Sequence, residues 1–219
     1  MDSLPSGRTE RFERWVTRSF PDPLAYETVW QAMRDWTAQR CTDTPDELWG
    51  LEHLPVYTLG QAGQRSHLHH TGTIPVVVTD RGAQVTYHGP GQAIVYCLVD
   101  LRRRALGIRA LVHHLEEAVI ALLESRQIPA RRRAGAPGVY VGEAKVAALG
   151  LRVSQGRCYH GVALNVAMDL EPFAGIDPCG LKDTPVTQTR DLGVTETLPG
   201  LRAALMQKIR QQLDGEEGR

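Results

Sequence analysis

Between residues 46 and 101 the apolar side chains come in short runs: Leu48-Trp49-Gly50-Leu51, Val56-Tyr57-Thr58-Leu59, Ile74 to Thr79, and the longer Gln92 to Leu101. Each run is rich in β-branched or aromatic residues and is bounded by Gly-, Pro- or His-rich connections, the pattern of strands. Gly138 to Val141 and Ala144 to Leu151 flank Gly142-Glu143, which suits a tight hairpin with glycine at the first turn position, and Cys158 to Val166 reads as another strand. Strands therefore follow one another in series instead of alternating with helices. That order disfavours a doubly wound parallel sheet and predicts an α+β fold, a mixed or antiparallel sheet flanked by helices. Three helices are expected. The first starts at Asp22-Pro23 and carries Tyr26, Val29, Trp30, Met33 and Trp36 on one face; the others cover Arg109 to Arg126 and about Leu201 to Leu213.

A chain of 219 residues fits one domain spanning 1–219, with the polar residues 1–20 and the acidic end 214–219 expected as peripheral tails. The 25 basic and 25 acidic residues cancel, so no global field draws the chain to nucleic acid or to an anionic membrane. No apolar run approaches the roughly 20 residues of a membrane span, and no signal segment opens the chain. The four cysteines, Cys41, Cys97, Cys158 and Cys179, form no CxxC pair, which argues for reduced thiols and a cytoplasmic location. Two arginine clusters, Arg102 to Arg104 and Arg131 to Arg133, are candidate docking surfaces for acidic partners, against the alternative of solvated basic turns.

Several residues are candidates for chemistry. The stretch Arg81-Gly82-Ala83-Gln84-Val85-Thr86-Tyr87-His88-Gly89-Pro90-Gly91-Gln92 is either a hairpin between glycine-rich turns or a loop that lines a ligand, and it matches no phosphate-binding motif. Lys145, in a run of small and apolar residues, is either an edge-strand charge or a buried amine with a depressed pKa; alternation would place it beside Ala147 and Leu149. Cys179, between Pro178 and Gly180, has the loop setting of an accessible nucleophile, whereas Cys97 and Cys158 read as buried apolar residues. The cluster His67, His69 and His70 reads as a solvated loop, with zinc a distant alternative, and no metal is expected. His160 and His88 each precede a glycine at a strand edge, where a polar side chain can meet a pocket.

Taken together, five segments resemble one family, the octanoyl-[acyl-carrier-protein]:protein octanoyltransferases of lipoate biosynthesis. They are Arg81 to Gln92, Ala136 to Val141, Lys145 to Leu151, His160 to Val166 and Pro178-Cys179-Gly180, in the family's order and spacing. The resemblance implies a biotin/lipoyl protein ligase-like fold and a two-step acyl transfer without a cofactor. It implies Cys179 as the acylated nucleophile and Lys145 as its acid/base partner. It places the acyl chain along Arg81, Gly82, Ala83, Gln84, Val85, Thr86, Tyr87 and His88, along Ala148, Leu149 and Gly150, and along Gly161, Val162 and Ala163, with His160 a further candidate. The implied partners are octanoyl-acyl carrier protein as donor, and as acceptors the lipoyl domains of 2-oxoacid dehydrogenase complexes and the glycine cleavage H protein; the enzyme is expected to be a monomer. The family usually has glycine where Ala83 stands, a departure that bears on binding or chain length if the position needs φ > 0. Rival readings on the same fold are an ATP-dependent lipoate or biotin protein ligase, which needs no cysteine, and an octanoyl amidotransferase. A non-catalytic fatty-acyl binding module is the third.

Overall fold

Residues 92–100 are buried on both sides, and their alternation shows why they can be. Ala93, Val95, Cys97 and Val99 belong to one hydrophobic cluster, whereas Ile94, Tyr96 and Leu98 belong to another. A strand sandwiched between two cores reads as a continuous apolar run instead of an alternating one, and the fold is built outward from it. The computed structural model describes residues 4–178 and 184–215. Its strands are β1 (Arg8–Arg11), β2 (Trp15–Ser19), β3 (Asp46–Leu51), β4 (Val56–Leu59), β5 (Val76–Val78), β6 (Val85–His88) and β7 (Gln92–Asp100). After these come β8 (Arg131–Arg132), β9 (Val139–Val141), β10 (Ala144–Ser154) and β11 (Arg157–Asn165). The helices are α1 (Tyr26–Gln39), α2 (Ile108–Glu124) and α3 (Leu198–Asp214).

The main sheet has the order β1-β2-β3-β7-β11-β10-β9-β8 and a smaller one the order β5-β4-β6. In the main sheet β2 and β3 pair in parallel and the other described pairs are antiparallel, giving a mixed sheet in an α+β fold. Helices α2 and α3 cover one face through Leu111, Leu115, Val119, Leu122, Leu201, Leu205 and Ile209. Helix α1 covers part of the other through Val29 and Met33, and the small sheet lies over the rest.

Three expectations need correction. Residues 15–20 are not a peripheral tail: Trp15 and Val16 are 1 % and 2 % exposed, and the Trp15 indole donates to the Asp214 carboxylate at 2.8 Å, tying the start of the sheet to the end of α3. Asp214 is thus anchored, while 216–219 lie outside the described residues. Helix α1 begins at Tyr26 and not at Asp22, because the Leu24 backbone is drawn into pairing with residues 52–54, accepting from Leu54 and donating to Glu52. The arginine cluster at 102–104 is not chiefly a docking surface. Arg103 and Arg104 join Arg40 around Asp46, which is fully buried, at 2.5, 2.6 and 2.6 Å. Arg104 also stacks 4.4 Å from the Trp15 ring. Removing one member of a buried ionic cluster strands the others in low dielectric. Asp46→Ala should therefore lower unfolding free energy by about 3–5 kcal/mol in urea titration; a loss under about 1 kcal/mol, the usual worth of an exposed pair, would show the cluster to be incidental.

Candidate active site

A cavity opens between the two sheets, floored by β10 and β11 and roofed by β6 and the turn before it. Its floor is made of small residues in register: Ala148 faces Ala163 and Gly150 faces Gly161 across the strand pair. The roof contributes Ala83, Gln84, Val85 and His88. Because those floor side chains do not fill the gap, the sheets enclose an elongated, mainly apolar slot, suited to a flexible hydrocarbon group.

Two departures from regular strand geometry put polar side chains into this slot. The β9–β10 register shifts between Lys145 and Ala147, a β-bulge. A bulge re-aims the side chains on one side of it. Ala147, Leu149 and Leu151 consequently pack in the α2/α3 core, and Lys145 lies with Ala148 and Gly150 on the cavity lining, not beside Ala147 as strict alternation would have it. Nor is Lys145 an edge charge. It is 3 % exposed, its Nζ donates to the Pro137 carbonyl at 3.3 Å, and it lies 5.3 Å from the centroid of the Tyr140 ring. Gly138, at φ +135°, makes room for it: a Cβ there would come within 3.1 Å of the lysine Cε.

The second departure is His160, at φ +65° in the middle of β11. By alternation it would join Cys158 and Val162 in the α2/α3 core. Instead it shares a face with its neighbour Tyr159, and its Nε2 donates to Asp80 at 3.0 Å. Asp80 also accepts from the Trp30 indole at 2.8 Å and from the Tyr159 hydroxyl. Burial works to raise the Asp80 pKa, but the hydrogen bonds from His160, Tyr159 and Trp30 outweigh it and hold the carboxyl at about 2. With Nε2 carrying its proton, neutral His160 has a lone pair on Nδ1, which is buried and has no hydrogen-bond partner among the described residues.

Other polar groups complete the lining. The His88 Nδ1 donates to Gln92 Oε1 at 2.7 Å, Gln92 Nε2 donates to Asn165 Oδ1 at 2.9 Å, and Asn165 Nδ2 donates to the Thr187 carbonyl at 3.0 Å. The Thr187 N–H in turn donates to the Lys145 carbonyl at 3.0 Å. One directional chain of hydrogen bonds thus ties the roof, the floor and the segment around Thr187 to the lysine strand. Behind the slot, His53 donates through Nδ1 to the Leu24 carbonyl (2.9 Å) and accepts the Tyr96 hydroxyl at 2.7 Å. Tyr26 hydrogen-bonds Thr79 at 3.0 Å.

Of the residues the sequence singles out, Lys145 and His160 line the cavity together with most of the three expected segments. Two do not. Tyr87 turns its ring into the small-sheet core against Phe173, and Gly82 links the sheets by donating to the Leu151 carbonyl at 2.8 Å. Arg81 lines the cavity, but its guanidinium is hydrogen-bonded to Thr58 and to the carbonyls of Gly82 and Gln84, so it braces its own turn. Ala83 sits at φ +71° on the lining, so the position does favour glycine. Cys179 lies outside the described residues; Pro178, immediately before it, lines the cavity. The histidine cluster is not simply a solvated loop. The His69 and His70 N–H groups donate to the Gly175 carbonyl (2.8 and 3.2 Å), Asp177 N–H donates to the His67 carbonyl (3.0 Å), and the His69 ring pairs with Asp177 at 3.0 Å. The loop is thus a strap on the chain that leads to Cys179. Residues missed from sequence are Tyr26, Asp80, Tyr96 and Asn165. Only Asn165, closing the His160 segment, carried a signal, as an amide at the end of an apolar strand.

The remaining cysteines fit their sites: Cys97 and Cys158 are buried, which pushes their thiol pKa values up, and Cys41 is exposed. Among the described residues no helix is long and apolar enough to cross a membrane.

The architecture defines a class. A lipoate protein ligase from Thermoplasma acidophilum with bound lipoic acid superposes with TM-score 0.71 at 15 % identity, covering 88 % of this chain and 82 % of that one. A lipoate-protein ligase A structure with bound ATP gives 0.71 at 16 % identity, covering 90 % of this chain and 85 % of that one. At such identities the likeness is one of fold. Within the class the sequence is specific: residues 26–210 match the lipoyl protein ligase A/B catalytic domain. An octanoyltransferase of Thiobacillus denitrificans is 55 % identical over 210 residues (96 % of each chain). One of Nitrosococcus oceani is 56 % identical over 200 residues (89 % of each). The chain belongs to the lipoyl protein ligase A/B catalytic-domain family, on its octanoyltransferase branch, and is an acyltransferase.

Two predictions come from this geometry. Burial holds His53 and His88 at pKa about 4 and about 3, below the ordinary 6.5. As pH falls below 6.5 the unfolded chain takes up protons that the folded chain refuses. Stability should therefore be full above about pH 7 and decline by roughly 1.4 kcal/mol per pH unit for each histidine down to about pH 4. His53→Gln should flatten that slope in thermal melts between pH 7 and 4; an unchanged slope would contradict neutral burial. Ala83→Gly should raise the urea midpoint by up to about 1 kcal/mol equivalent, because it removes left-handed strain of roughly 1–2 kcal/mol and adds some unfolded-state entropy. A lower midpoint would show that the alanine methyl packs favourably.

Proposed function

We propose that this protein transfers an octanoyl group from octanoyl-acyl carrier protein to a lysine of a lipoyl domain or H protein, by way of a thioester on Cys179. It would do so as a cytoplasmic monomer serving protein lipoylation. The observation that carries the reading is the slot itself: apolar, floored by glycine and alanine, and lined by a buried lysine whose strand bridges Val186, which shares a surface depression with Pro178. The names of the relatives support the acyl group.

In the first step the Cys179 thiolate attacks the carrier thioester carbonyl. The carrier thiolate leaves and takes up a proton, with Lys145 as the proposed donor. A thioester exchanges readily with a thiolate, so positioning supplies most of what this step needs. In the second step the neutral amine of the acceptor lysine attacks the acyl-enzyme. Cys179 leaves as thiolate, the amide forms, and the proton lost by the amine passes to Lys145. The acyl group arrives activated, so the reaction has no use for ATP, unlike that of a ligase.

Intact-protein mass spectrometry after mixing with octanoyl carrier protein should show an octanoyl adduct that Cys179→Ser lacks. Lys145→Met should lower turnover by about 10²-fold or more, the usual worth of a placed acid/base, while the fold stays intact. Full transfer by Cys179→Ser, dependent on ATP, would establish the ligase reading in its place.

A further inference from the structure

The end of the slot remote from Lys145 is built differently from its middle. Along β11 the Asn165 row lies beside Lys145 and the Gly161 row lies four residues further on, roughly 13 Å at strand rise. Gly161 pairs there with Tyr96, whose ring centroid lies 5.9 Å from that of His160, and Tyr26 lines the same cavity. Each of these rings is tethered through its polar atom by a hydrogen bond. Tyr96 is tied to His53, Tyr26 to Thr79, and His160 to an Asp80 that Trp30 and Tyr159 also grip. His160 in addition occupies a backbone conformation that a non-glycine residue adopts only at a cost, and such strain is kept where a side chain must be aimed. Its Nδ1, 144° around the ring from the atom bound to Asp80 by the geometry of a five-membered ring, turns away from the carboxylate and is orphaned among the described residues.

A hydrocarbon tail pressed past these rings would have to displace a pinned ring or lie against a buried lone pair that it cannot satisfy. Both are unfavourable, and neither applies to a tail that stops at the Gly150–Gly161 row. We propose that His160, locked by Asp80, is the specificity determinant that ends the acyl slot and sets its preference for a medium chain. The inference rests on the octanoyl-transfer reading above for the nature of the ligand, and names the residue that measures its length.

The test measures binding of free octanoic and dodecanoic acids by calorimetry, which needs no acyl transfer. Wild type should favour octanoate. His160→Gly, which suits the backbone at φ +65° and removes the wall, should shift the dodecanoate-to-octanoate affinity ratio upward by about tenfold, the worth of burying roughly two further methylenes. Asp80→Asn, which keeps the size of the group but weakens its hold on His160, should move the ratio in the same direction by less. A purely structural role would lower both affinities together. An unchanged ratio in folded His160→Gly, or a wild type that does not discriminate, overturns the proposal. The absence of an octanoyl adduct on Cys179 would instead fail the transfer reading and leave the binding ratio to be read by itself.

Discussion

The structure depends on one packing constraint: a sheet face buried by a second sheet has been left unfilled. Protein interiors normally close to crystalline density. Here the two pairs facing each other across β10 and β11, Ala148 with Ala163 and Gly150 with Gly161, are too small to close the gap. The slot is held open by the packing and hydrogen bonds of the described residues around it. Strand β7 is packed on both faces, the roof is tied to the floor through His88, Gln92 and Asn165, and Gly82 joins the two sheets by a backbone hydrogen bond. The small residues also have backbone reasons. A Cβ on Gly161 would come 2.0 Å from the Val95 carbonyl oxygen, and one on Gly150 would come 3.2 Å from the Arg81 side chain.

Polarity enters the slot through local irregularity. The bulge after Lys145 and the positive φ of His160 each rotate one side chain by half a strand period, so a lysine and a histidine that regular strands would send into the α2/α3 core reach the cavity instead. They stand toward opposite ends of it, an arrangement that in the proposed reaction would keep acid/base chemistry apart from the apolar tail. Strain and bulges at such places are what a site demands of an otherwise regular scaffold.

This also explains what was legible in the sequence. The long strand at 92–100 and the helix at 108–124 announce themselves because both bury continuous or periodic apolar faces. The hairpin at Gly142 is legible from one glycine, whose φ is +57°. Strand β1 is exposed and charged, so nothing in Arg8–Arg11 distinguishes it from a tail; its pairing with β2 is a tertiary fact. The facing of Lys145 was misread because a period of two holds only until a bulge interrupts it. The arginines at 103 and 104 resembled a surface because their partner, Asp46, lies far away in sequence. Asp80 lies in a loop and Tyr96 in β7, and only the fold brings them to His160.

The central claim is that the acyl group lies in this slot with its carbonyl toward Lys145 and its tail against Tyr96 and His160. A crystal structure of the octanoyl-protein tests it most directly. The account predicts carbonyl density within hydrogen-bonding reach of Lys145 Nζ and a terminal carbon at the Gly150–Gly161 row. An acyl chain outside the space between the two sheets, or one running in the reverse direction, would contradict it.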